Sequence, residues 1–443
     1  MTMEKARPRR RRARAALHGI YIPQPISTRM AELRRPRGTR DFLPREMEKR
    51  RWLERRLRAT AELFAFREVG TPSFEHAELF TARSGRAIVD SMYVFKDKAG
   101  RELALRPELT APTMRLFIEG LRGEPRPLKL FYHGPCFRYE EPQKGRYREF
   151  WQFGAEIIGA KRAPGEVELL SLAHECLSSI GLRGFRLRIG HVGVLRGVLE
   201  RAGVRREAQA PLMPLIDKRN MEGLRAALEA LSADPGPVVE ILSASGGREL
   251  LERAPGSGLE EVLDGIEDCG ISDYRIEPGI ARGLDYYTGL VFEIDAPELG
   301  AEKQVCGGGT YALAELFGAE PVESTGFALG FDRILVALEA QSAEFPEMGV
   351  EFYIVPAGEA ARREALRAAT ALRRAGLSAD LDLSGRSLSK ALKHADAVGA
   401  RRAVIIGDDE LRRGVVSVKE LGTGEQTETT LRALVERARV GGV

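Results

Sequence analysis

The stretch Phe137-Arg138-Tyr139-Glu140-Glu141-Pro142-Gln143-Lys144-Gly145-Arg146-Tyr147-Arg148-Glu149-Phe150 reads as a strand end, a charged loop broken by Pro142 and Gly145, and the start of a second strand. Side chains alternate across a strand, so Arg138 and Glu140 share a face. On the return strand Phe150, Gln152, Gly154 and Glu156 share a face, opposite Trp151, Phe153, Ala155 and Ile157. One wall then carries a flat aromatic, an amide, a gap and a carboxylate, which suits a planar base beside a small polar ligand. Arg138 and Arg146 add planar forks for phosphate oxygens. A solvated hairpin has no need of Gln152 and Glu156 on an otherwise apolar strand.

Upstream, Leu53, Leu57, Ala61 and Phe64 recur at helical spacing and predict an amphipathic helix over 46–66, closed by Gly70-Thr71-Pro72. Strands are expected near 91–95, 102–106, 128–133 and 148–158, and helices over 165–180 and 193–202. From about 204 to 265, short helical pieces alternate with Pro/Gly breaks, which reads as a helical insertion in a larger catalytic domain spanning 34–345. Strand texture returns at 290–295, and a helix is expected over 327–340. Beyond a boundary near 345, strands and helices alternate through 349–443, predicting a separate α/β domain with a largely parallel sheet.

The 443 residues are 43% hydrophobic and 30% charged, which excludes a disordered or fibrous chain. No run of apolar residues is long enough to span a bilayer. Cys136, Cys176, Cys269 and Cys306 form no CxxC pair, which fits a reducing compartment and excludes a disulfide scaffold or a cysteine-built zinc finger. Residues 1–29 carry a net +7, so the remaining 414 residues sum to −3, and any polyanion must be held by local patches. We read residues 1–33 as a disordered basic tail: a nucleic-acid arm, a targeting peptide, a solvated tail, or sequence upstream of a start at Met30. It lacks the apolar segment of a secretory signal.

Other features are modest. Gly307-Gly308-Gly309 lacks the Lys-Ser/Thr of a P-loop and marks either a close backbone approach at the substrate pocket or a plain turn. His191 is expected to be structural, and His133 and His174 to be packed or surface residues. His174-Glu175 has no second histidine at metalloprotease spacing, and no protein-bound zinc is expected.

The opening block resembles motif 2 of class II aminoacyl-tRNA synthetases, in the wording of the histidyl-tRNA synthetase family. Arg37-Gly38-Thr39-Arg40-Asp41-Phe42 with Pro72 resembles the amino end and motif 1, and Gly326-Phe327-Ala328-Leu329-Gly330-Phe331-Asp332-Arg333 resembles motif 3. Arg282-Gly283-Leu284-Asp285-Tyr286-Tyr287-Thr288-Gly289 is similar to the family's histidine-specific signature, the most discriminating segment of the four. With Leu383-Ser384-Gly385-Arg386-Ser387 and Gly407-Asp408-Asp409-Glu410-Leu411, the resemblance covers about 35–443. Many members carry Arg and Asp where Thr310 and Ala312 stand, so no contact is assigned to those two side chains.

The resemblance implies an α+β core, an antiparallel sheet flanked by helices, with the helical insertion and a carboxy-terminal α/β anticodon-binding domain. It implies activation of L-histidine by ATP with Mg²⁺, transfer of the histidyl group to tRNA(His), no organic cofactor, a homodimer formed through motif 1, and a cytoplasmic location. Arg138, Arg282 and Gln152 would be the catalytic set. Arg138 would hold the α-phosphate and the histidine carboxylate, with Arg282 opposite. Glu140 and Phe150 would take the adenine, and Arg146 and Arg333 the outer phosphates. Glu108, Leu109, Thr110 and Gln152 would surround the ammonium, Glu156 and Tyr287 would read the imidazole nitrogens, and Tyr286 would wall the pocket. In the last domain Arg386, Lys390, Lys393, Arg401, Arg402, Arg412, Arg413 and Lys419 offer a tRNA-binding face or a solvated surface. A rival is the family's non-enzymatic paralogue, a regulatory subunit of ATP phosphoribosyltransferase; another is an inactive tRNA-binding module.

Overall fold

The computed structural model describes residues 34–81, 89–142, 145–217, 219–253, 258–280, 287–346 and 349–440. The basic tail, Arg282 and Tyr286 lie outside the described residues. After the helix Pro44–Leu63, β1 (Arg67–Glu68) leads into a small sheet of β2 (Phe74–His76), β3 (Val94–Lys96) and β4 (Glu102–Leu105). A long hairpin follows, β5 (Leu128–Phe137) and β6 (Glu149–Ile158). Then come β7 (Arg186–His191), β8 (Tyr274–Ile276), β9 (Tyr287–Asp295), β10 (Gln304–Tyr311) and β11 (Ser324–Gly330).

The main sheet runs β1-β5-β6-β11-β10-β9-β7-β8. Its centre is antiparallel, and its edge pairs β1–β5 and β7–β8 are parallel. Each parallel edge is reached by a long connection, one through the small sheet and one through the helical module, as parallel pairing requires. One face is closed by the helices Pro44–Leu63, Arg162–Ser179, Leu259–Asp268 and Phe331–Ala340. Leu53, Leu57 and Ala61 are fully buried there, beside Phe153, Ala155 and Ile157. The alternation expected for β6 therefore places Trp151, Phe153, Ala155 and Ile157 against the core and frees the opposite face for a site.

One boundary needs correction. Residues 327–330 finish β11 rather than open a helix, which starts at Phe331. The 304–311 stretch, with its triple glycine, is a central strand, so of the two readings left open, a close backbone approach and a plain turn, the turn is set aside. The helical module packs around Val198, Leu212, Leu224, Leu228, Val238 and Leu242. Its core includes the preceding helix Val192–Arg201, whereas Leu259–Asp268 packs with the main sheet.

Past residue 349, β12 (Phe352–Ala357), β13 (Ala379–Leu381), β14 (Arg402–Gly407), β15 (Val416–Glu420) and β16 (Gln426–Thr429) form a second sheet in the order β13-β12-β14-β15-β16. It is parallel only across β13, β12 and β14; β15 and β16 are antiparallel. The largely parallel sheet read from sequence is thus corrected. Only the short helix Asp408–Arg413 separates β14 from β15, too little chain for a parallel crossover. Separate apolar cores around Phe352, Ile354 and Leu372, and around Tyr353, Val355 and Ala391, fill the two faces of this sheet.

Candidate active site

The free face of the main sheet carries few side chains. In register across β6, β11 and β10, Gln152 stands opposite Gly330, Gly154 opposite Ala328 and Glu156 opposite Gly326, while Gly307 and Gly309 continue the rows. Backbone therefore forms a floor, and a cleft of about 250 Å³ lies above it. Arg138, Glu140, Arg146, Phe150, Gln152 and Arg333 all line this cleft. Six residues singled out from sequence, from two distant segments, thus meet in one cavity.

The cleft's cations are held. Arg138 donates from Nε to the Pro107 carbonyl at 2.9 Å, and its guanidinium lies 5.2 Å from the centre of the Phe150 ring. Arg333 donates to the Gln304 carbonyl at 2.9 Å. Arg146 and Glu140 form an ion pair at 2.5 Å. Beneath the hairpin, Asp332 is buried and accepts from Arg40 and Arg50, each at 2.5 Å, and from the Trp151 backbone N–H at 2.8 Å. Asp332 thereby ties the motif 1 segment to β6 between Phe150 and Gln152.

Beyond Gln152 along β6 lies a buried polar cluster. Glu156 is fully buried. Tyr132 donates to its Oε1 at 2.8 Å and Tyr311 to its Oε2 at 2.5 Å. Thr110 Oγ1 is 3.3 Å from the Tyr132 hydroxyl. Glu108 accepts the backbone N–H groups of Thr110 at 2.5 Å and Ala111 at 3.1 Å, capping the helix Thr110–Leu116. Burial pushes the Glu156 carboxyl up to about 8, against the hydrogen bonds from Tyr311, Tyr132 and Thr110. Burial also raises Glu108, opposed by the Ala111 and Thr110 N–H groups and by Arg138. Leu109 packs with Tyr132, Cys136 and Phe150, joining this cluster to the wall of the cleft that carries Phe150. Cys136 donates its thiol proton to Gln152 Oε1 at 3.3 Å, and burial pushes that thiol up to about 12.

Glycines make room for these groups. A Cβ on Gly326 would lie 1.5 Å from Glu156 Oε2, and one on Gly154 would lie 2.5 Å from the Tyr132 ring. A Cβ on Gly309 would lie 2.9 Å from the Tyr287 ring, so the triple glycine is a close backbone approach. Tyr287 stands opposite Tyr311 on the neighbouring strand and packs near Val192, Ile280 and Val291. It does not line the cleft, and Glu156 is gripped by Tyr132 and Tyr311. Those two tyrosines were not singled out from sequence. Tyr132 lies on β5 six residues before Arg138, which directly follows the strand, so continuing the alternation puts the two on the same face. Tyr311 follows a glycine run that offers no side chains from which to read an alternation.

Thr310, His191 and His133 have structural partners. Thr310 points to the opposite face and donates to the buried Glu166. His191 Nδ1 accepts the Gly193 N–H at 3.0 Å and caps Val192–Arg201, and burial lowers it to about 4. His133 sits against Trp151 and Phe331. In the last domain Arg386, Arg402, Arg412 and Arg413 pair with Asp382, Glu420, Asp409 and Glu428, while Lys390, Lys393 and Arg401 are exposed. Among the described residues no group of three His, Cys, Asp or Glu side chains is placed to hold a metal, and no helix is long and apolar enough to cross a membrane.

A family model described as histidyl-tRNA synthetase matches residues 38–334, and one described as anticodon binding domain matches 351–440. A histidine–tRNA ligase of Archaeoglobus fulgidus is 46% identical, over 89% of this chain and 97% of its own. That of Methanosphaerula palustris is also 46% identical, over 90% and 97%. Among solved structures, apo S. aureus histidyl-tRNA synthetase superimposes with a TM-score of 0.74 at 34% identity, over 92% of this chain and 100% of that one. A Bacillus halodurans C chain described as an ATP phosphoribosyltransferase regulatory subunit/histidyl-tRNA synthetase gives 0.72 at 26% identity, over 85% and 98%.

Proposed function

Since the chain belongs to the histidyl-tRNA synthetase family, we propose that its cleft joins L-histidine to ATP and passes the histidyl group to tRNA(His). It is an aminoacyl-tRNA synthetase, and the division of labour within the site follows from charge. Attack of a carboxylate on the α-phosphorus brings two anions together, so catalysis is positioning and neutralisation, without a general base. Arg138 takes the histidine carboxylate and the α-phosphate, with Arg282 assigned to the opposite side. Phe150 stacks on the adenine and Glu140 accepts from its amino group. Arg146 and Arg333 hold the leaving pyrophosphate. Glu108, Leu109, Thr110 and Gln152 surround the ammonium. Glu156, with Tyr287 and Tyr286, faces the imidazole; a ligand without ring nitrogens would leave buried groups unpaired, at roughly 1–3 kcal/mol each.

Mg²⁺ bound with the nucleotide would supply further neutralisation of the phosphates beside Arg138, Arg146 and Arg333. The units at work are residues 34–345 for activation, with the insertion near 204–265, and 349–443 for the anticodon end of the tRNA, where Lys390, Lys393 and Arg401 offer charge. A homodimer is supported by the exposed Phe74, Val94 and Phe95 on the small sheet just past Pro72, an apolar surface suited to a second copy.

The observation that carries this reading is the convergence of Arg138, Arg146 and Arg333 on a cleft whose β6 wall leads through Gln152 to a fully buried carboxyl. The test is ATP–pyrophosphate exchange with each amino acid in turn. Exchange with histidine, followed by charging of tRNA(His), is expected. Absence of exchange would favour the regulatory paralogue, and exchange with another amino acid a different class II specificity.

A further inference from the structure

Resting on that reading of the pocket, we infer that Tyr132 and Tyr311 are its specificity-determining positioning residues, holding Glu156 in the one orientation from which it accepts a ring N–H of the amino acid. The two phenols approach from different strands, β5 and β10, and donate to opposite oxygens of the same carboxyl. Two anchors on two oxygens fix both the position and the plane of the group. The floor closes behind it: Gly326 lies directly under Oε2, and Gly154 leaves the space that the Tyr132 ring occupies. In its ionised form, which a donated ring N–H favours against burial, the carboxylate offers about four acceptor positions, so two phenols leave acceptor capacity for a ligand. No guanidinium or ammonium pairs with Glu156 among the described ion pairs, so the hydroxyls of Tyr132, Tyr311 and Thr110 are the groups that orient it.

A planar side chain with an N–H donor satisfies this fixed acceptor. A ring of the same shape without the N–H leaves it unpaired. Without either phenol the carboxyl can turn toward other partners, and the penalty for the wrong ring is lost.

The test uses the full chain in ATP–pyrophosphate exchange, with Tyr132→Phe and Tyr311→Phe, and with L-histidine and 3-(thiazol-4-yl)alanine as competing amino acids; the thiazole has no ring N–H. We expect each variant to raise the KM for histidine about 10- to 100-fold, to leave the KM for ATP within about twofold, and to reduce the preference for histidine over the thiazole by at least about tenfold. A merely structural role would lower activity on both amino acids in proportion and leave their ratio unchanged. Unchanged histidine KM and unchanged preference in both variants overturn the inference. If Tyr132→Phe does not fold, Tyr311→Phe decides alone, and if neither folds Thr110→Val is read by the same ratio. Wild-type protein without histidine-dependent exchange would instead refute the function itself.

Discussion

Gly326→Ala isolates the imidazole end of the pocket. Gly326 has no left-handed backbone angle, so alanine carries no conformational penalty there, and the effect is steric. The new Cβ would lie 1.5 Å from Glu156 Oε2 and 2.5 Å from its carboxyl carbon. Ordinary contact begins near 3.5 Å, so the carboxyl must withdraw by about 2 Å. A withdrawal of that size breaks the bonds from Tyr132 and Tyr311, now 2.8 and 2.5 Å. Each lost partner of a buried acid costs about 1–3 kcal/mol, so the pair amounts to roughly 2–6 kcal/mol. Even the lower figure corresponds to about a 30-fold rise in histidine KM. The KM for ATP should stay within about twofold, because Gly326 does not line the nucleotide cleft. The assay is exchange with histidine and ATP titrated separately. A histidine KM within twofold of wild type would refute the placement of Glu156 in the substrate pocket.

Four further outcomes are expected. Burial holds the Glu156 carboxyl at about 8, above its ordinary 4.5, so its contribution to stability is complete below pH 4.5 and is lost as pH rises toward 8. The Tm of Glu156→Gln minus that of wild type should therefore climb over this window, and parallel Tm curves would reject the ionisation cost. Asp332→Ala strands the buried Arg50 and should cost about 3–5 kcal/mol in urea unfolding; a loss under 1 kcal/mol would show the ion pair to be dispensable. Arg282→His should lower the activation rate by orders of magnitude with little change in histidine binding, and near-normal exchange would remove it from the reaction. Deleting 349–443 should spare exchange more than tRNA charging, and equal loss of both would reject the separation of tasks.

The motif 2 hairpin was legible because a strand's two-residue period sorts its side chains without any knowledge of the partner strand. Phe150, Gln152 and Glu156 emerged on one face, and Trp151, Phe153 and Ile157 in the core. Tyr132 was equally accessible to that rule, but the strand was read only as far as His133 and was not joined to Arg138. β10 was not legible: glycines leave no pattern to alternate, and the reason for two of them is the closeness of Phe327 to Gly308 and of Tyr287 to Gly309 across the sheet. The antiparallel return of β15 was missed because strand and helix texture alone does not specify direction; the brevity of the 408–413 connection does.

The ion pair between Arg146 and Glu140 has a consequence for how the nucleotide gains entry. On the proposed assignment both partners serve the incoming molecule, one its phosphate tail and one its base, so a nucleotide that carries both would replace the pair at once. A lone triphosphate or a lone nucleobase meets a closed handshake and recovers only half of what it breaks. On that assignment the pair would favour the whole nucleotide over its fragments.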